Sequence, residues 1–175
     1  MKTKAHLLAA AERLFDAHGF MATGMDRLAA AAGISSRTVY KHVNGKVELI
    51  VAVLDERVRR FFVEIAVQDV AALFAALARW IECEGARGCL MLRALEETGG
   101  SEERIVVAVQ AYKARLAQHI GAIVQAELGR ADPVLAQQLL ILFEGATVAS
   151  LYQGAAAART ASAAAARLLA AARAS

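Results

Sequence analysis

Apolar residues recur every three or four positions along most of the chain, and glycines break the pattern at intervals. Leu7, Ala11, Leu14 and Phe15 share one face at i, i+4, i+7 and i+8, which predicts a helix from about residue 3 to Ala17. His18-Gly19 ends it, with glycine just past the cap. Thr23-Gly24-Met25-Asp26 has the form of a capping box with Asp in the fourth place, and predicts a second helix that buries Leu28, Ala29 and Ala32. Gly33 stops that helix, and Ile34 is an apolar spacer. Ser35 is a good N-cap for a short third helix over about 36–42. Asn44-Gly45 breaks the chain again before a longer helix over about 46–64.

Further helices are predicted over about 69–84, 89–97, 103–128, 133–153 and 156–173. The breaks between them fall at Gly85/Gly88, Gly99-Gly100-Ser101, Gly129 with Asp132-Pro133, and Gly154. Asp132 before Pro133 reads as an N-cap followed by proline at the first helical position. Ser101-Glu102-Glu103-Arg104 puts negative charge in a first turn, where the helix dipole favours it. Leu139–Phe143 is apolar at five consecutive positions, so that helix belongs in a core or an interface. The last 21 residues hold 13 alanines, which permit close helix packing, with Leu151, Leu168 and Leu169 as anchors. The predicted fold is all-α, with about nine helices. Three Gly-separated helices at the start, the last two close together, spell a helix-turn-helix domain over residues 1–46. A linker helix over about 46–64 leads to a helical bundle over 65–175.

Charge sharpens this division. Residues 1–64 carry ten Lys/Arg against seven Asp/Glu, whereas residues 65–175 carry ten of each. The whole formal excess of +3 therefore lies in the first third. Such a local excess suits a polyanion, because neutralised phosphates release counterions. Cys83 and Cys89 make no disulfide framework, and their spacing fits no zinc site. No secretory signal is evident, and Glu144 divides the longest apolar run, so a cytoplasmic protein without a membrane span is expected. The four histidines are scattered, and no Gly-rich phosphate loop or Ser/His/Asp grouping is present. An enzyme is therefore not expected, nor is a cofactor or a metal.

The short third helix carries the chemistry. A helix about 10 Å across enters the major groove of B-DNA. Val39 and Val43 form its inner side at i and i+4, which leaves Ser36, Arg37, Thr38, Lys41 and His42 outward and Tyr40 at the edge. Arg binds guanine O6 and N7 bidentately, and Ser and Thr bond bases or phosphates. Lys46 stands where a helix begins and free N–H groups favour a phosphate, and Thr23 occupies the same kind of place.

Residues 7–50 resemble the DNA-binding domain of the tetracycline-repressor (TetR) family of transcriptional regulators. The resemblance rests on Ala-Ala-Glu-Arg-Leu-Phe (10–15), His-Gly-Phe (18–20), Thr-Gly-Met-Asp-Arg-Leu-Ala (23–29), Ala-Gly-Ile-Ser (32–35), Thr-Val-Tyr-Lys-His (38–42) and Lys46 with Leu49. Order and spacing fit without a gap. The resemblance implies base contacts from Ser36, Arg37, Thr38, Lys41 and His42, and phosphate contacts from Thr23, Tyr40 and Lys46. Ser35 completes the DNA-facing set. Two positions depart from the family pattern: Arg37 stands where glycine is frequent, and Val43 where phenylalanine is usual.

The resemblance further implies a C-terminal domain that binds a small molecule and dimerises. Its last two helices, about 133–153 and 156–173, would pair with those of a second copy. Trp80, Met91, Tyr112, Phe143 and Tyr152 are the candidate lining of an effector pocket for a small hydrophobic or aromatic compound, with core packing the alternative reading of each. Arg93, Glu96, Glu97 and His119 are read as solvated or paired surface groups. The expected function is repression from an inverted-repeat operator, relieved by the effector; a constitutive DNA-binding dimer is the alternative.

Overall fold

The computed structural model describes residues 2–174, and the side chains of residues 4–174. Among the described residues every regular element is a helix: α1 (Lys2–His18), α2 (Met25–Ala31), α3 (Ser36–Tyr40), α4 (Lys46–Glu64), α5 (Val70–Glu84), α6 (Leu90–Glu97), α7 (Glu103–Leu128), α8 (Pro133–Gln153) and α9 (Ala156–Ala174). The first and last residues of the two expected domains lie outside the described set.

Local chemistry sets most helix ends. Asp69 caps α5 by accepting from the Ala72 N–H at 2.7 Å, and Asp132 caps α8 by accepting from the Leu135 N–H at 3.0 Å. Gly33 (φ +63°) closes α2 in a Schellman arrangement, with Gly33 N–H on the Ala30 carbonyl and Ile34 N–H on that of Ala29. The expected capping box does not form. Gly24 is the N-cap of α2 and no side chain caps that end, because Thr23 turns inward. α3 is also shorter than 36–42. Its last N–H groups, those of Lys41 and His42, bond three residues back, and the helix closes in a tight turn.

The chain forms two compact units. One comprises residues up to Arg59 together with Leu90–Ala111; the other comprises Arg60–Cys89 and the chain from Tyr112 onward. These units do not follow the expected division at residues 46 and 65, because 90–111 group with the N-terminal helices.

In the first unit Leu7, Phe15, Phe20, Leu28, Val39, Leu49 and Ile50 are buried, and the rings of Phe15 and Phe20 stand 4.8 Å apart. Two arginines fasten α1 to its neighbours. Arg57 of α4 donates to Glu12 at 2.8 Å, largely out of water. Arg93 of α6 donates to the Asp16 carboxylate at 2.8 Å and to the carbonyls of Phe15 and Asp16. Those carbonyls lie in the last turn of α1, where a cation compensates unpaired acceptors.

In the second unit α9 packs on α8 and α5, the most extensive helix contacts of the fold. Ala157, Ala158, Ala161 and Ala165 are buried there and allow close approach. Of the three expected anchors only Leu169 is buried; Leu168 is half-exposed and Leu151 is exposed, lying over Gly88. α8 is by length and composition apolar enough to cross a membrane. Glu144 in its middle pairs with Lys113 of α7 at 2.8 Å, an arrangement suited to a helix packed in protein.

Candidate nucleic-acid interface

α3 is held by its own cap and by two valines. Ser35 Oγ accepts from the Thr38 N–H at 3.2 Å, and the Ser35 and Thr38 hydroxyls are 2.9 Å apart. Val39 and Val43 are buried, so the inner side of the helix is the expected one. On the other side Arg37, Tyr40 and Lys41 are exposed, while Ser36, Thr38 and His42 are half-buried. The Arg37 and Lys41 side chains make no hydrogen bond or ion pair among the described residues. They stand at i and i+4 and project together as two uncompensated cations.

The remaining candidates are more engaged. Ser36 Oγ donates to the Asp26 carboxylate of α2 at 2.8 Å. Lys46 Nζ donates to the Met21 carbonyl at 2.9 Å. Burial lowers the Lys46 ammonium below the usual lysine range, and the nearby Glu97 carboxylate opposes that shift. Thr23 is 0 % exposed, and its hydroxyl donates to the Gly19 carbonyl at 2.7 Å. The side chain expected on a phosphate therefore fixes the α1–α2 turn instead.

Glu97, which the sequence suggests is a solvated or paired surface group, takes part here. Its carboxylate accepts from the Met21 N–H at 3.0 Å, beside the carbonyl that holds Lys46. Gly19 makes room for it: a Cβ there would lie 2.9 Å from Glu97 Oε2, and φ is +85°. Glu97 lies 76 residues from Met21, and no local signal foretells the contact.

The candidate effector residues divide. Trp80, Tyr112 and Phe143 meet around Phe61, with ring centroids 5.0, 6.2 and 6.2 Å from it. Arg60 lies over the Trp80 ring and Lys113 over that of Tyr112. Met91 is elsewhere: it is buried in the first unit. Tyr152 is 76 % exposed on α8 and lines no interior. Arg93 and Glu97 are paired as described, and His119 Nε2 is 2.6 Å from the Ile65 carbonyl, to which it donates. Cys83 and Cys89 are free thiols. Among the described residues no group of three or more His, Cys, Asp or Glu is placed to hold a metal ion.

Three N-terminal helices, the second and third short and the third capped by Ser35, and a long helical remainder define an all-α protein with a helix-turn-helix domain. Residues 7–53 match the family model of bacterial regulatory proteins, tetR family. Over 55 residues the chain is 42 % identical to the HTH-type transcriptional activator FasR of Mycolicibacterium smegmatis; the match takes in 31 % of this chain and spans 25 % of FasR. The fold is similar to that of SCO4454, a TetR-family transcriptional regulator from Streptomyces coelicolor, with a TM-score of 0.82 and 25 % identity over 95 % of this chain and 94 % of that one. The reduced form of Escherichia coli NemR shares the fold with a TM-score of 0.77, at 19 % identity over 94 % of this chain and 95 % of NemR. Residues 7–53 are thus similar to the tetR family of bacterial regulatory proteins, and the fold as a whole is similar to that of a TetR-family regulator.

Proposed function

We propose that the protein is a sequence-specific DNA-binding regulator of transcription, acting in the cytoplasm as a homodimer on an inverted-repeat operator. The observation that carries this reading is the pair Arg37 and Lys41: exposed, unpartnered among the described residues, and opposite the buried Val39 and Val43. Arg37 and Lys41 contact base edges, joined by Ser36 and by Thr38 and His42 at the flanks. Tyr40 and Lys46 contact phosphates, and the turn that Thr23 stabilises presents its backbone to the duplex. Ser35 acts through the cap that shapes α3. One such helix reads few bases, and a twofold pair spaced by about 34 Å doubles the readout.

The dimer contact in this reading is α8 with α9. Val134, Ile141 and Val148 recur every seven residues on α8 and are exposed, at 69 % and 62 % for the first two. Tyr152 continues the same face. An exposed apolar stripe of this length favours burial against a second copy.

The mode of control proposed is repression relieved by a small hydrophobic or aromatic effector that inserts into the ring cluster around Phe61. α4 and α7 each run unbroken from one compact unit into the other, which supports a mechanical link to the DNA-binding helices. One observation favours a constitutive regulator instead: Phe61 already sits among Trp80, Tyr112 and Phe143. FasR, 42 % identical to this chain over 55 residues, is named an activator.

Fluorescence anisotropy with the protein's own promoter tests the central reading. Saturable binding that survives competitor DNA at moderate salt is expected. A folded, dimeric protein that binds all duplexes alike defeats it. A thermal-shift screen with aromatic compounds tests the effector, since a ligand of the native state raises the melting midpoint.

A further inference from the structure

Ser36 and Asp26 form the one polar side-chain link that the structure gives between α2 and α3, and its chemistry has a direction. A hydroxyl owns one proton and two lone pairs, whereas an ionised carboxylate only accepts. The Ser36 proton therefore points to Asp26 Oδ1, at 2.8 Å. What Ser36 has left to offer is acceptor capacity. Asp26 is exposed, and its remaining lone pairs add to the same acceptor surface.

From this geometry we propose that Asp26 fixes Ser36 as a hydrogen-bond acceptor, and that the pair selects an amine-bearing base at one position of each operator half-site. The inference rests on the reading of α3 as the recognition helix. In the major groove adenine N6 and cytosine N4 are donors, whereas guanine O6 and N7 and thymine O4 are acceptors. An acceptor side chain thus tolerates A or C on the strand it faces and rejects G or T there. Phosphate oxygens are acceptors too, so the same arrangement withholds Ser36 from the backbone. Asp26 is a positioning residue for Ser36, and its charge repels phosphates, at a cost in affinity for every sequence.

The test is selection from a randomised duplex library with the full chain, comparing wild type, Ser36→Ala and Asp26→Ala, with melting midpoints measured alongside. Wild type is expected to enrich one position per half-site where A and C are both accepted, with G or T there weakening binding about threefold to tenfold, the range of one hydrogen bond. Ser36→Ala should erase that preference and no other. Asp26→Ala should free the hydroxyl to donate, admit G or T at the same position, and strengthen binding to unrelated DNA. The proposal is overturned if that two-base preference is absent, or if it persists in both variants. It is also overturned if both variants weaken binding to all sequences equally and melt lower, which would make the pair a simple tie between helices. If wild type enriches no sequence at all, the reading of α3 falls first, and the enrichment profile shows that directly.

Discussion

At the scale of single residues, what already holds a cation decides how it can serve a nucleic acid. Arg37 has no partner among the described residues, so its guanidinium is available for a bidentate base contact. Arg37→Ala is expected to cost ~1–3 kcal/mol on the best operator and to relax selectivity at one base pair per half-site. Lys46 is tied to the Met21 carbonyl and must share or leave it to reach a phosphate. Lys46→Ala should weaken binding to all duplexes, lower the salt slope by about one, and also lower the melting midpoint. Anisotropy across a set of operator variants and salt concentrations separates the two. Identical profiles for both variants would refute the division into base and backbone contacts. Asp55 offers a test of electrostatics away from the interface. Burial raises its carboxyl above the usual 3.8, so the folded state holds its proton more tightly than the unfolded chain. Stability from this group is present at low pH and lost as pH rises from about 3.8 through the raised value. Asp55→Asn should therefore raise the melting midpoint at pH 7, and the gain should vanish on acidification to below pH 3.8.

At the scale of elements, periodicity and turn residues located the helices well. The bounds of α7 and α8 match those read from the chain alone, because Ser101-Glu102-Glu103, Asp132-Pro133 and Gly154 are strong local punctuation. The start of α2 does not follow the capping-box pattern, because that pattern is local whereas the force that decides the start is not. Thr23 turns to the Gly19 carbonyl, in a turn that Glu97 secures from α6. The same distance in sequence hid the membership of α6 in the first unit, which Arg93 and Glu97 establish through Asp16 and Met21. A helix that reads as one more bundle member on hydropathy can pack on either unit, and only paired charges reveal which. The Arg57–Glu12 pair makes a quantitative case. Both side chains are largely buried, at 11 % and 14 % exposure. Glu12→Ala removes a carboxylate that the largely buried Arg57 donates to, and should destabilise the chain by about 3 kcal/mol. Urea unfolding measures this, and a loss below about 1 kcal/mol would place the pair among ordinary surface bridges.

At the scale of the whole molecule, the exposed side of α8 bears on how two copies would engage one operator. The five consecutive apolar residues Leu139–Phe143 announced a helix that buries more than one face. The structure buries Leu139 and Phe143 and leaves Ile141 exposed. The candidate pocket is less legible, since aromatic residues satisfy core and ligand roles alike; Met91 is buried in the first unit and Tyr152 is exposed, so neither joins the group. If the stripe of Val134, Ile141 and Val148 joins two copies, a charge at its centre should separate them without disturbing the subunit. Ile141→Glu places a carboxylate where the side chain is 62 % exposed, so the subunit core is spared and helical circular dichroism should match wild type. Burying that carboxylate and its twofold mate in a dimer would be costly unless both were neutralised. Sedimentation equilibrium is expected to show a dimer for wild type and a monomer for the variant at micromolar concentration. Operator affinity should then fall by more than tenfold, because two half-sites are no longer engaged by one body. Affinity for an isolated half-site should be unchanged. A variant that stays dimeric would move the subunit contact off α8, and one that dissociates yet keeps full operator affinity would detach DNA recognition from dimerisation.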